Sequence, residues 1–424
     1  MGAFHNFLII LLLLVEAGVL FYLERKAWNT LYTPLNFLML PYIFVLMVTI
    51  AVSGKFDFVE FYYPSILLWN IGLLLFAVPD IALSVVVRKS AGLTNSSFTG
   101  HSSDDDKIPM IFVYIGAVIA LLFIYRLKST IGNSKFVIGS DEFAEEFAGF
   151  GFWGHLKRFS SVLLMMYIYF LNKKQRWLWL LIIAFMVVSV INMVKGTMII
   201  PCVVGVMMRL ASGKMRITGR FVVILLLSSV AVFFITFLLA IVVVNGMEVD
   251  DNVIVYILQR FVHYFTSGTL GLSMDMQLDF PDRGEFDIVM TPFINIINQL
   301  TGNGELLSPI NAVYHYTGIS LTNVRTIFGT LYIYSNYSQF AIYVMCLSLV
   351  CYFLKIISDK TGNTFVNLVF FYFCALLAMG WFEFYFFHLD VIEIPAMIIF
   401  LHVVDWTLVG RKHYLLQTEN KMYQ

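Results

Sequence analysis

The chain has 424 residues, of which 60% are hydrophobic and 13% charged, with 27 Lys and Arg balanced by 27 Asp and Glu and a mean hydropathy of +0.83. Soluble domains carry about 25% charged residues, so this composition excludes an ordinary soluble globule. A formal net charge of zero leaves nucleic acid no electrostatic footing.

Crossing a hydrocarbon core of about 30 Å takes roughly 20 apolar helical residues, because the backbone must satisfy its own polar groups there. Such runs recur at residues 4–23, 34–53, 62–87, 108–125, 159–171, 177–193, 197–211, 221–244, 339–357, 364–381 and 391–409. The expected fold is all-α: a polytopic integral membrane protein with about eleven transmembrane helices, within a range of roughly 10–13. It reads as one transmembrane domain, residues 1–424, with a large extracytoplasmic loop at 246–325 that contains short helices. The first run lacks a basic leader and ends in Glu24-Arg25-Lys26, so it reads as an uncleaved span.

Orientation follows from the basic loops, which stay cytoplasmic. Arg25/Lys26, Arg88/Lys89, Lys173/Lys174/Arg176, Arg209/Lys214/Arg216/Arg220, Lys355/Lys360 and Arg411/Lys412 fall on one side when the N-terminus is outside. The 246–325 loop is then outside and the C-terminus inside. The loop at 129–155 sets five aromatic residues, from Phe143 to Trp153, among acids, and reads as a helix lying on the bilayer surface.

Four cysteines lie inside apolar runs and imply neither a disulfide framework nor a metal motif. The acids of the long loop match no calcium-binding spacing, and no zinc, P-loop, dinucleotide or G-x-S-x-G pattern occurs, so neither metal nor cofactor is expected. Among intramembrane acids, Asp80 follows Pro79 inside a span; a helix-to-helix hydrogen bond is the simpler reading and a proton-coupled role the sharper one.

Basic and aromatic residues on the outer side carry the candidate chemistry. Lys195 sits in a tight turn between two runs. Arg260, His263 and Tyr264 share a helix face at i, i+3 and i+4. Arg283, then Tyr314, His315 and Tyr316, then Asn323, Arg325 and Tyr332 follow. Guanidinium forks suit phosphate oxygens, and Lys serves the same group as a point charge. Flat aromatic faces suit sugar rings. Together they suggest a lipid-linked glycan diphosphate, against the plainer reading of an interfacial aromatic belt with snorkelling arginines.

The run from Asn323 to Phe340, NVRTIFGTLYIYSNYSQF, resembles the signature of Wzy-type O-antigen and capsule repeat-unit polymerases. Gln259 to Gly268 is similar to the start of that family's large periplasmic loop, and Lys195 to Pro201 to one of its span beginnings. Lys195 stands where Arg is common, and Ser335-Asn336-Tyr337 replaces the usual Asp-Phe-Gly. The resemblance implies polymerisation of undecaprenyl-diphosphate-linked oligosaccharide repeat units on the periplasmic face of a bacterial inner membrane. Its partners would be lipid-linked donor and acceptor, the bilayer and, optionally, a chain-length regulator. Arg260, Arg325 and Lys195 would stabilise the leaving diphosphate without nucleotide or metal. His315, or second to it His263, would be the general base. Tyr264, Arg283, Tyr314, Asn323 and Tyr332 would line the substrate. An O-antigen ligase using the same donor, or a lipid-linked oligosaccharide flippase, remains the alternative.

Overall fold

A computed structural model describes residues 3–90, 107–133, 136, 140–149, 151–191, 195–239, 251–279, 285–302, 306–308 and 310–410. The fold is all-α, with one two-stranded ribbon. Sixteen helices follow one another among the described residues: α1 (Ala3–Trp28), α2 (Pro34–Val52), α3 (Ser65–Ser90), α4 (Met110–Asn133), α5 (Asp141–Ala148), α6 (Gly151–Phe170), α7 (Leu178–Ile191), α8 (Lys195–Ala211), α9 (Gly219–Leu239), α10 (Asp251–Gln277), α11 (Phe286–Val289), α12 (Thr291–Thr301), α13 (Ile327–Tyr334), α14 (Tyr337–Thr361), α15 (Thr364–Ala378) and α16 (Asp390–Asp405). Strands β1 (His315–Tyr316) and β2 (Leu321–Thr322) form an antiparallel hairpin between α12 and α13.

Each of the eleven expected spans falls on a helix where it is described; 192–193 and 240–244, at the ends of two of them, lie outside the described residues. Six described helices are long and apolar enough to cross a membrane: α1, α2, α4, α14, residues Ser65–Val86 of α3, and Asp390–Leu408, which begins with α16. Three more apolar helices, Leu178–Ile191, Met198–Ala211 and Thr364–Ala378, are shorter. The short run at 159–171 is the second half of α6, a continuous 20-residue helix. Large apolar side chains stand outward along α1 (Phe4, Phe7, Leu11, Val15), α4 (Val118, Leu121, Ile124) and α14 (Ile342, Leu349, Phe353). Patches of that extent are not left facing water in a stable protein. The protein is a membrane protein, and lipid covers these faces.

The chain divides into two compact units. The first comprises Met1–Ser97, Asp250–Lys360 and Phe373–Val391; the second comprises Phe98–Val249, Thr361–Tyr372 and Ile392–Gln424.

In the second unit α6 packs against α7 and α8. Gly116 of α4 gives room to Tyr167, whose hydroxyl donates to Phe112 O at 2.8 Å. The aromatic residues of α5 turn inward: Phe143 and Phe147 are buried, with Phe147 against Phe123 of α4, and Arg126 donates to the carbonyls of Glu146 and Phe147. Phe152, just beyond α5, turns outward at 65% exposure, and Phe150 lies outside the described residues. An eight-residue helix with two buried Phe and acids on the other side gains more by packing on α4 than by lying at an interface.

In the first unit α1 packs on α3, and α2 on α10. Tyr42 and Trp69 stack face to face, with centroids 3.4 Å apart, at the α2–α3 contact. The basic C-terminal ends of α1 and α14 share one level, since Tyr352 of α14 donates to Glu24 of α1. The loop at 53–64, the hairpin and the start of α14 belong to the opposite end. There Val59 N donates to Thr317 O at 3.1 Å and Tyr62 N to Ser273 Oγ at 2.6 Å. Gly318, at φ +94° in the hairpin turn, lies so close to Asp57 O that a side chain has no room.

Candidate functional site

At this second end the first unit builds a buried ionic centre on α10. Gly268, Gly271 and Asp275 share one helical face at i, i+3 and i+7. The two glycines let backbone approach: a Cβ at Gly268 would meet the carbonyl of Phe382, and one at Gly271 would meet Val324 O and the Arg325 side chain. The segment before α13 therefore crosses α10 closely enough to lay Arg325 along it. Arg325 is 1% exposed and Asp275 wholly buried.

The Arg325 fork grips Asp275 with two bonds, Nε to Oδ2 and Nη2 to Oδ1, the second at 3.1 Å. Its remaining reach goes to the Val324 and Val313 carbonyls at 3.0 and 3.3 Å. Bidentate pairing of this kind is what makes a buried charge pair tolerable. Asp275 Oδ1 also takes His315 Nε2–H at 2.5 Å. That bond fixes the tautomer and leaves Nδ1 with the lone pair. Among the described residues Nδ1 has no partner, and the His315 side chain keeps 11% of its surface exposed. The arrangement is a base held by a buried acid, which a buried arginine locks in turn.

A polar shell continues from it. Asn323 Nδ2 reaches Asn311 O and the Tyr314 hydroxyl, each at 3.3 Å. Tyr334 donates to Asn311 Oδ1 at 2.5 Å, and burial pushes its hydroxyl up to about 12, so it stays a donor. Asn311 Nδ2 is buried and without a partner among the described residues. An open polar group in the shell around an organised base is what a hydroxyl-rich ligand could complete. Tyr314, Tyr316 and Leu321 of the hairpin stand outward, each more than half exposed.

The other expected site residues are spread more widely. Arg260 lies on the same helix as Asp275 but fifteen residues before it, about 22 Å at 1.5 Å per residue. It is half-buried, donates to the Tyr256 hydroxyl at 2.7 Å and lies over that ring; no carboxylate pairs with it among the described residues. Arg260 and Arg325 thus do not share a pocket. His263 is 5% exposed and gives Nδ1–H to Thr317 Oγ at 2.9 Å, while that hydroxyl donates to Ser320 O. Its role is to tie α10 to the hairpin turn. Tyr264 stacks on Phe382, and Tyr332 is half-buried in α13. Lys195 opens α8 in the second unit, its side chain outside the described residues, as is all of Arg283.

Asp275, Asn311 and Tyr334 carry much of this geometry without having been singled out for it. The spacing of Gly268, Gly271 and Asp275 on one helix face was the available signal for the first. Nothing in the sequence marks the other two. No group of three or more His, Cys, Asp or Glu side chains able to hold a metal occurs among the described residues.

Residues 57–408 match a protein family of unknown function, DUF6337, and over that share of its length the chain belongs to the family. Neither the curated proteins nor the solved structures contain a match to it.

Proposed function

We propose that this member of the DUF6337 family is a membrane glycosyltransferase that polymerises polyprenyl-diphosphate-linked oligosaccharide units on the extracytoplasmic face. The observation that carries the reading is His315, its Nε2 held by Asp275 and its Nδ1 open. Of the two segments that resemble Wzy-type polymerases, 323–340 supplies Arg325 and Asn323 beside it, and 259–268 supplies Arg260 farther along α10. If the basic ends of α1 and α14 are cytoplasmic, as short basic loops are, the His315 end of the first unit faces the periplasm of a bacterial inner membrane.

The chemistry follows from the positions. Nδ1 of His315 takes the proton of an acceptor sugar hydroxyl as its oxygen bonds to the donor's anomeric carbon. The bond from that carbon to the diphosphate oxygen breaks, and the leaving group keeps the electron pair. Asp275 stabilises the imidazolium, and Arg325 holds Asp275 in register through its two bonds. Arg325 therefore acts as a positioning residue, since its donors are spent on Asp275 and two carbonyls. Arg260, far along α10 and without a carboxylate, suits the acceptor's own diphosphate, which stands one repeat unit away from the attacking hydroxyl.

The test is to reconstitute the purified protein in liposomes with undecaprenyl-diphosphate-linked repeat units, without nucleotide sugar or metal. A product ladder supports polymerisation, and its absence from H315A assigns the base. Product made only after addition of a lipid A core acceptor would replace polymerase by ligase. Movement of labelled lipid across the bilayer without new bonds would replace both by a transporter.

A further inference from the structure

The opposite end of the first unit holds a second group of buried polar side chains that the proposed reaction does not use. Glu24 of α1 and Asp80 of α3 are 1% and 2% exposed. Tyr352 of α14 donates its hydroxyl to Glu24 Oε1 at 2.6 Å and accepts from Leu35 N at 3.3 Å. Trp28 Nε1 donates to Asp80 Oδ1 at 2.6 Å. Trp28 and Tyr352, which hold these two carboxyl groups, stack with ring centroids 5.6 Å apart, so Glu24 and Asp80 belong to one buried cluster. Glu24 Oε2 is buried and has no donor among the described residues.

Two buried carboxyl groups in one cluster, one of whose oxygens lacks any donor among the described residues, are not both ionised at acceptable cost. A proton or a cation must join them. The neighbouring groups that present a hydrogen are the Tyr352 hydroxyl, the Trp28 indole and the Lys355 ammonium, which lies 5.1 Å from the Trp28 ring centroid and takes up the Asp359 carboxylate at 2.7 Å. A metal ion would find two carboxylates and a nearby positive charge rather than the six or more oxygens a hard cation takes. A proton fits.

We infer that Glu24 and Asp80 form a proton-binding site, one proton shared between two buried carboxyl groups and clasped by Trp28 and Tyr352. The groups facing it are Glu24 from α1, Asp80 from α3, and Tyr352, Lys355 and Asp359 from α14; α15 adds Cys374 toward Lys355, and α2 only a backbone N–H. The shared proton joins α1 to α3, and its loss sets two like charges against each other across that contact. The site stands apart from the reading of His315 and is tested without any turnover assay.

The experiment is infrared spectroscopy of the full-length protein in lipid at neutral pH, in H2O and in D2O. A protonated-carboxyl carbonyl band that shifts in D2O is expected. E24Q and D80N, each close in shape to the acid it replaces, should each remove most of that band. All three proteins are compared in an E16Q background, because Glu16, the other acid within α1, also has a buried oxygen without a donor among the described residues and would add a band of its own. Helicity and elution of the variants report folding, and either E24Q or D80N suffices if the other does not fold. An E16Q parent without the band, or a band of full intensity in folded E24Q or D80N, overturns the inference.

Discussion

At the scale of single residues the centre is asymmetric. His315 keeps one nitrogen for a reaction, whereas Asp275 and Arg325 are fully spent on each other and on their surroundings. Replacing His315 by Ala removes a general base, an effect of about 10²–10⁴-fold, and takes one hydrogen bond from Asp275 while leaving the Arg325 fork on it. Turnover in H315A should fall by that order with only a small drop in the thermal midpoint. R325M should behave in the opposite way. Leaving one member of a buried pair uncompensated costs about 3–5 kcal/mol, so a large drop in thermal stability is expected, with R325K recovering part of it through charge without the fork. A folded R325M of wild-type stability, seen by thermal unfolding in detergent, would remove the ionic centre from the structural account.

At the scale of the element, α10 is the helix on which the site depends. Its Gly268 and Gly271 face carbonyls that leave a methyl group no space, Phe382 O for the first and Val324 O, 2.7 Å from the position of a Cβ, for the second. Because these neighbours are backbone, G271A must push the 313–326 segment off the helix and take Arg325 out of line with Asp275. Loss of turnover together with stability is expected. Gly18 of α1 provides the contrast. Nothing lies within 4 Å of a Cβ there, so G18A should be neutral or stabilising by about 0.5–1 kcal/mol through helix propensity. If G271A unfolds at the same temperature as G18A, the close crossing is not needed.

At the scale of the whole molecule, the first unit has two chemically different ends. One carries Arg25, Lys26 and Lys360 above the Glu24–Asp80 pair; the other carries Lys55, the exposed Phe56 and the hairpin below His315. With the four native cysteines replaced, K55C should label with a membrane-impermeant maleimide from outside intact cells, and K360C only after permeabilisation. The reverse pattern would place the His315 end in the cytoplasm, where polyprenyl-linked repeat units are assembled rather than joined, and would remove the support for a polymerase.

The sequence by itself determined that this is an all-α membrane protein, and where its eleven apolar segments lie. Hydrocarbon permits only helices with internally satisfied backbones, and the length of an apolar run is a local property. It also singled out the stretches around 260 and 315–325, because polar residues inside so apolar a chain are conspicuous. What it left open is which of those residues meet. Arg260 and Arg325 looked alike as phosphate-binding cations, yet one stands without a carboxylate and the other is locked on Asp275, an acid fifty residues away in sequence. The aromatic residues of α5 looked interfacial by composition and are buried against α4. Asp80 looked like a lone intramembrane acid, and its partners come from α1 and α14, the latter some 270 residues distant. Only the tertiary structure decides such matters, because pairing of charges and burial of rings depend on which helices cross and at what depth. Those crossings are set by small residues such as Gly271, whose meaning lies in what they leave room for.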